Sequence, residues 1–155
     1  MNKEITPWEW VLVFLYAGKK DNENPVINGV LMFTKQFFVF VKEIKKELDA
    51  EFKFIPYDYG PYSFILINIL QSLVKLGYIA IIRDEERQDF IMTEEGMKKV
   101  AEIYESIDGE TKKKLESLRR EATQLGYSGV LRYVYSRYPE YTTASKIRER
   151  VLNGF

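Results

Sequence analysis

The fold is decided by residues 77–92, which read GYIAIIRDEERQDFIM. Two short apolar runs, at residues 78–82 and 89–92, flank a charged turn at residues 84–88, and the first run is rich in β-branched side chains. Both runs are too short for helices, and the polar turn between them predicts a β-hairpin. The hairpin therefore favours a mixed fold over a four-helix bundle, which is the main structural alternative.

Helical patterns lie on both sides of the hairpin. Thr6 and Pro7 are typical of a helix N-cap and first turn, Pro61 presets the first turn of the third helix, and Thr93 caps the fourth. The first helix is apolar almost all round, so we expect it at the centre of the domain. In chain order we predict a helix at residues 7–18, a polar loop at 19–28, a helix at 30–48, an extended piece at 52–55, a helix at 61–76, the hairpin and a helix at 93–107.

This order of elements predicts an α+β, mainly α-helical fold, namely a winged helix-turn-helix with a two-stranded wing over residues 1–108. Residues 109–155 are predicted to form a basic C-terminal helical extension packed on that domain, with two helices before Pro139. The same division separates charge. Residues 1–108 carry 13 basic and 18 acidic side chains, whereas residues 109–155 carry 10 basic and 5 acidic ones, so the zero total combines a net charge of −5 with one of +5.

The chain contains neither cysteine nor histidine, which removes several classes of chemistry. Zinc fingers, Ser-His-Asp triads, thiol enzymes and His-ligated haem are excluded, because thiolates and imidazoles supply their ligands and bases. The carboxylates show no spacing typical of a metal loop or of an acid/base pair, and no phosphate-cradling glycine-rich loop occurs. We therefore expect a protein that is not an enzyme and has no metal or cofactor. No run approaches the 18 apolar residues of a membrane span, so we expect it in the cytoplasm and away from membranes.

Several motifs resemble a known family. The sequence is similar to the SocA/Panacea-type antitoxin-associated domain and to the related YwgA-like winged-helix proteins over about residues 5–145, and the run around Tyr59-Gly60-Pro61-Tyr62-Ser63 is its most specific element. The resemblance implies a regulatory or antitoxin-like binding module without catalytic residues. The other matching positions are Ile27-Asn28-Gly29, Lys35, Ile55-Pro56-Tyr57-Asp58, Leu70, Leu73, Gly77-Tyr78-Ile79, Met92-Thr93-Glu94-Glu95-Gly96, Tyr135 and Tyr138-Pro139-Glu140-Tyr141-Thr142.

The third predicted helix is a candidate for nucleic-acid recognition. Asn68, Gln71 and Lys75 follow each other by three and four residues, so they share one helix face, and Ser63 precedes them. Asn and Gln can pair with adenine in the major groove, and Lys75 could reach a phosphate. The alternative is an ordinary solvated stripe. In the extension, supplied by a homodimer, the residues predicted to contact the phosphate backbone of DNA are Lys112, Lys113, Lys114, Arg119 and Arg120. The alternative, which needs no ligand and which we slightly favour, is that the basic extension docks against the acidic domain or against a second copy of the chain.

A second candidate surface surrounds Gly60-Pro61. Tyr57, Tyr59 and Tyr62 could anchor a protein partner, and the alternative is that they only pack the turn against the first helices. The predicted wing disfavours strong DNA affinity, because residues 83–89 carry two basic and four acidic side chains. The sequence thus leaves two functions open: a DNA-binding transcriptional regulator, which we rank first, and a protein-interaction module of the antitoxin type.

Overall fold

The computed structural model describes residues 4–20, 22–84 and 87–154, and it confirms an α+β, mainly helical class. Short 3-10 turns at Lys46–Leu48 and Pro139–Tyr141 supplement the regular elements. The helices are α1 (Pro7–Tyr16), α2 (Val30–Glu43), α3 (Asp49–Phe52), α4 (Phe64–Lys75), α5 (Glu94–Glu105), α6 (Gly109–Arg137) and α7 (Arg148–Leu152). The strands are β1 (Val26–Asn28), β2 (Ile55–Tyr57), β3 (Gly60–Tyr62), β4 (Ile79–Asp84) and β5 (Arg87–Met92).

Helix α1 is the centre of the hydrophobic core, as its apolar sequence predicts. Thr6 and Glu9 form a capping box, in which the Thr6 hydroxyl accepts from the Glu9 backbone N–H and the Glu9 carboxylate accepts from the Thr6 backbone N–H. Every α1 residue from position 9 to 15 is buried. The Phe14 ring lies 5.7 Å from Phe33 and 5.2 Å from Phe37 on α2, so aromatic packing joins the two helices.

The predicted hairpin is confirmed, and it belongs to a three-stranded antiparallel sheet with the strand order β1-β5-β4. Asp84 pairs with Arg87 across its end, and the charged turn residues Glu85 and Glu86 lie outside the described residues. Strand β1 lies inside the segment predicted as a polar loop, so that prediction is wrong for residues 26–28. A three-residue strand is too short to show alternation, and its pairing partner β5 lies more than sixty residues later in the chain.

Two predicted helix boundaries are also wrong. Helix α2 ends at Glu43, five residues before the predicted end, and the backbone N–H of Lys45 then bonds to the Phe40 carbonyl. Helix α4 begins at Phe64, because Ser63 is its N-cap and accepts a hydrogen bond from the Leu66 N–H at 3.0 Å. Residues 55–57 and 60–62 form an antiparallel two-stranded sheet, in place of the predicted loop and first helical turn.

The C-terminal helix α6 packs against α2 and contributes Leu131, Val134 and Tyr135 to the same buried core as α1. The backbone at Gly126 has φ of 70° and is not helical, so α6 consists of two helical halves that meet there, in agreement with the two predicted helices. Across the described ranges, no helix combines the length and the apolar character needed to span a membrane.

Candidate binding surface

An exposed aromatic cluster, formed by Tyr57, Tyr62 and Phe64, lies where β2 and β3 lead into α4. The Tyr57 and Tyr62 rings stack at 4.7 Å, and the Phe64 ring meets them edge-on at 5.5 and 5.0 Å. Phe64 is 53% exposed and Tyr57 39% exposed. Desolvation, followed by the charge of Tyr57, raises the pKa of Tyr62, so the Tyr62 hydroxyl stays neutral at physiological pH. The cluster thus presents the exposed rings of Tyr57 and Phe64, which pack against the half-buried ring of Tyr62.

A buried lysine holds the strand beneath this cluster. The Lys35 side chain on α2 is 1% exposed, and its ammonium donates to the Pro61 carbonyl on β3 at 3.0 Å. No carboxylate among the described residues pairs with it. Burial lowers the pKa of Lys35 to about 7, because water no longer stabilises the charged form. Lysine is among the residue types that are least often fully buried, so residue type alone does not indicate this position.

The C-terminal segment fixes the outer loop of the β2–β3 hairpin. Gly60 has φ of 94°, and a Cβ at this position would lie 2.8 Å from the Tyr135 ring of α6. Lys146 donates from its backbone N–H to the Asp58 carbonyl at 2.8 Å, and its ammonium lies 3.1 Å from the Asp58 carboxylate. The hydrogen bond to Asp58 raises the pKa of Lys146. The predicted anchor Tyr59 is 41% exposed in this loop, and no aromatic stacking joins it to the described cluster.

The solvent face of α4 carries most of the side chains predicted for recognition. Asn68, Gln71 and Lys75 are exposed, whereas the intervening Leu66, Leu70 and Leu73 are buried against the core. Phe64 precedes Asn68 by four residues and continues the same face. Its position in this stripe is the signal by which the sequence could have identified it, because an apolar residue on a polar face is unusual for a buried helix.

Ser63 does not belong to the exposed face, which corrects its predicted role as a groove contact. The residue is fully buried, and its hydroxyl donates to the Phe52 carbonyl at 2.5 Å while it accepts the helix-capping bond from Leu66. The Ser63 hydroxyl thus both donates and accepts a hydrogen bond inside the protein. Ser63 therefore positions α4 and the adjacent cluster without contacting a ligand.

The predicted basic residues of α6 have different surroundings. Lys112 lies 5.5 Å from the centre of the Tyr104 ring, Lys114 pairs with Glu110 at 3.2 Å, and Lys113 and Arg120 are exposed. Helix α4 packs on α1 and β4, whereas α6 packs mainly on α2. Within the described ranges, no hydrogen bond or ion pair joins these four cations to α4. They therefore do not extend its face directly.

Arg119, the fifth predicted phosphate contact, is 4% exposed, which corrects its assignment to the surface. Leu115 and Ala122, four residues before and three after it, are buried on the same side of α6. This spacing was visible in the sequence and would have identified Arg119 as a buried position. Its guanidinium is not available to the backbone of a DNA duplex.

The described part of the chain contains no group of three or more acidic side chains arranged to hold a metal ion. Fold and surface together define a mainly helical α+β protein with an exposed aromatic cluster at the start of a half-exposed helix. Comparison with known protein families finds no matching family model, and comparison with curated proteins finds no significant relative. The resemblance to antitoxin-associated domains therefore stays a prediction from the quoted motifs.

Proposed function

We propose that this chain is a non-enzymatic interaction module that binds a protein partner through the aromatic cluster and the solvent face of α4. The exposure of Phe64 carries the proposal: it is 53% exposed although two neighbouring rings pack against it. Rings held by one another lose little conformational freedom on binding and bury a large apolar area. They are therefore suited to anchor a partner with an apolar pocket.

The composition of the surrounding surface also favours a protein partner. Asn68 and Gln71 continue the face with hydrogen-bonding groups, and Lys75 is the one cation in the whole of α4. An aromatic centre with a polar margin is typical of protein–protein interfaces, whereas binding to a phosphate backbone draws on several Lys and Arg side chains. The composition of this face therefore favours the protein-interaction module over the DNA-binding regulator.

Replacement of Phe64 tests this function. A tagged chain purified from its native host should retain a stoichiometric protein, and Phe64→Ala should weaken that complex by roughly thirtyfold or more, as expected for a central aromatic anchor. Leu152→Ala is the matched control, because Leu152 is an exposed apolar residue on α7, outside the cluster. Both substitutions should leave the unfolding free energy within about 0.5 kcal/mol. Equal retention of the partner by both variants, or no stoichiometric partner, would contradict the proposal.

A second candidate function is DNA recognition by a winged helix. We infer that α1, β1, α2, α4, β4 and β5 form the winged-helix unit, with α4 as the recognition helix and the β4–β5 hairpin as the wing. The order of these elements and the strand order β1-β5-β4 support this. The exposed positions of Asn68 and Gln71 also favour it, since both amides could reach base edges.

Fluorescence anisotropy with DNA duplexes distinguishes this second function from the first. If α4 enters the groove, affinity should fall steeply with salt, Lys75→Gln should reduce the salt slope by about one, and Gln71→Ala should relax sequence preference. Lys46→Gln, at an exposed position between α2 and α3, is the matched control for charge. Light scattering would show whether the chain dimerises, as two half-sites require. Absence of salt-dependent binding would reject DNA recognition.

A further inference from the structure

The guanidinium of Arg119 is buried without a described counter-charge. Its Nε donates to the Phe14 carbonyl at 3.1 Å and its Nη2 to the Leu15 carbonyl at 3.4 Å, both near the C-terminal end of α1. Its Nη1 donates to the Gln36 side-chain oxygen at 3.0 Å. Burial lowers the pKa of Arg119 to about 10, so the group remains charged at neutral pH. Among the described residues, no carboxylate forms an ion pair with it.

Two N–H groups of this guanidinium are not used by the described contacts. An arginine side chain has five N–H donors, and the three hydrogen bonds above use one each on Nε, Nη1 and Nη2. The backbone at Gly18 leaves room for the group, since a Cβ there would lie 2.1 Å from Nη2. The carbonyls at the end of α1 compensate part of the charge through the helix dipole, but a carbonyl carries no net charge. One N–H on Nη1 and one on Nη2 therefore have no described acceptor.

Arg119 lines an open groove of about 2110 Å³ between the C-terminal end of α1, the β1 segment and α6. Among its described lining residues, six are cations and three are carboxylates, which gives a net charge of +3. The cations are Lys19, Lys20, Arg83, Arg87, Arg119 and Arg120, and the carboxylates are Glu23, Glu105 and Glu116.

Exposed cations lie at the end of the groove near α1. Arg87 is paired with Asp89 at 2.7 Å, so the wing end is partly neutralised. Lys19 and Lys20 are exposed and follow Gly18, whose backbone lies against the Arg119 guanidinium. A buried guanidinium with unused donors, preceded by exposed ammonium groups, is an arrangement that attracts a multiply charged anion inward.

We propose that this groove binds a small molecule with a terminal phosphate group, and that the phosphate pairs with Arg119. A planar guanidinium matches phosphate oxygens with two parallel N–H bonds, and two N–H groups are available. Because Arg119 is only 4% exposed, a compact terminal phosphate suits this site better than the bulky backbone of a duplex. The site is distinct from the aromatic cluster on which the proposed partner binding depends.

Calorimetric titration tests the proposal with inorganic pyrophosphate, a nucleoside 5′-diphosphate and a single-stranded oligonucleotide without terminal phosphate. We expect the first two probes to bind and to shift the Arg119 Nε–H resonance in NMR spectra. The double substitution Lys19→Gln with Lys20→Gln should weaken binding roughly tenfold, since these side chains supply charge at the entrance without a buried structural role. The matched control is Lys113→Gln with Lys114→Gln, which removes two exposed cations that do not line the groove.

Three results would overturn the proposal. The first is no binding of either phosphate probe at millimolar concentration in low salt. The second is an equal loss of affinity in the control double variant, which would indicate general attraction to a basic extension. The third is tighter binding of the oligonucleotide than of pyrophosphate, which would assign the groove to a nucleic-acid backbone. Arg119→Lys, which keeps the charge but not the paired donors, should abolish the binding where that variant remains folded.

Discussion

The pH dependence of stability should report the buried ammonium of Lys35 beneath the aromatic cluster. The pKa of Lys35 falls from 10.5 in the unfolded chain to about 7 in the folded protein. Between these values the unfolded state binds one more proton than the folded state, so the free energy of unfolding rises with pH. Stability is correspondingly lost as pH falls toward about 7. The maximal slope is about 1.4 kcal/mol per pH unit.

Integration of this single titration gives about 2 kcal/mol more stability at pH 9 than at pH 7. Three other groups with shifted pKa values change their protonation little between pH 7 and pH 9. The pKa of Arg119 is about 10, and the pKa values of Tyr62 and Tyr138 are raised above 10.0. Lys35→Met should make the profile flat. At pH 7 it should also stabilise the protein by about 2 kcal/mol, since a desolvation cost of about 4 kcal/mol exceeds the loss of one donor to the Pro61 carbonyl.

Urea denaturation at pH 7, 8 and 9 measures these differences directly. Lys46→Met is the matched control, because Lys46 is exposed in the turn after α2, and it should keep the slope of the parent protein. A parent protein with equal stability at pH 7 and 9 would refute the assignment of a poorly compensated ammonium to Lys35. So would a Lys35→Met variant that retains the full slope.

Two further substitutions test how the C-terminal segment supports the candidate surface. Gly60→Ala should lower the unfolding free energy by about 1–3 kcal/mol, because the position has a positive φ and the new Cβ would meet the Tyr135 ring. A melting temperature within error of the parent protein would contradict this. Glu43→Gln should lower the unfolding free energy by about 1 kcal/mol in chemical denaturation, because the Glu43 carboxylate accepts from the hydroxyls of Tyr133 and Tyr138. The effect is limited because Glu43 is partly exposed. An unchanged denaturation midpoint would show that these bonds do not hold α6 on α2.

Local pattern predicted much of the fold. The apolar sequence of α1, the capping pair at its start and the hairpin within residues 77–92 all depend on neighbours in the chain, and the structure contains each of them. The boundaries of α2 and α4 could not be predicted from local pattern alone. Pro61 is typical of a first helical turn, but Ser63 caps the helix instead, because its hydroxyl accepts from the Leu66 N–H. The same hydroxyl donates to the Phe52 carbonyl eleven residues earlier, a contact that local pattern does not predict.

The candidate surface was predicted in part. The common face of Asn68, Gln71 and Lys75 follows from helical spacing, and all three are exposed. Tyr57 and Tyr62 were selected by their position around Gly60-Pro61, but their stacking depends on the β2–β3 pairing. Phe64 was not among the predicted site residues. Helical spacing places it on the same face as Asn68, but hydrophobicity alone does not distinguish packing from an interface for an aromatic side chain at a helix terminus.

The central helix, the hairpin, the division of charge at residue 109 and the absence of imidazole and thiol groups follow from the sequence. The burial of Lys35 and Arg119 and the pairing of β1 with β5 are visible only in the folded chain. The physical reason is the range of the interactions. Periodicity and capping involve residues within one or two turns, whereas a buried cation depends on carbonyls such as those of Pro61 and Phe14, which distant segments supply.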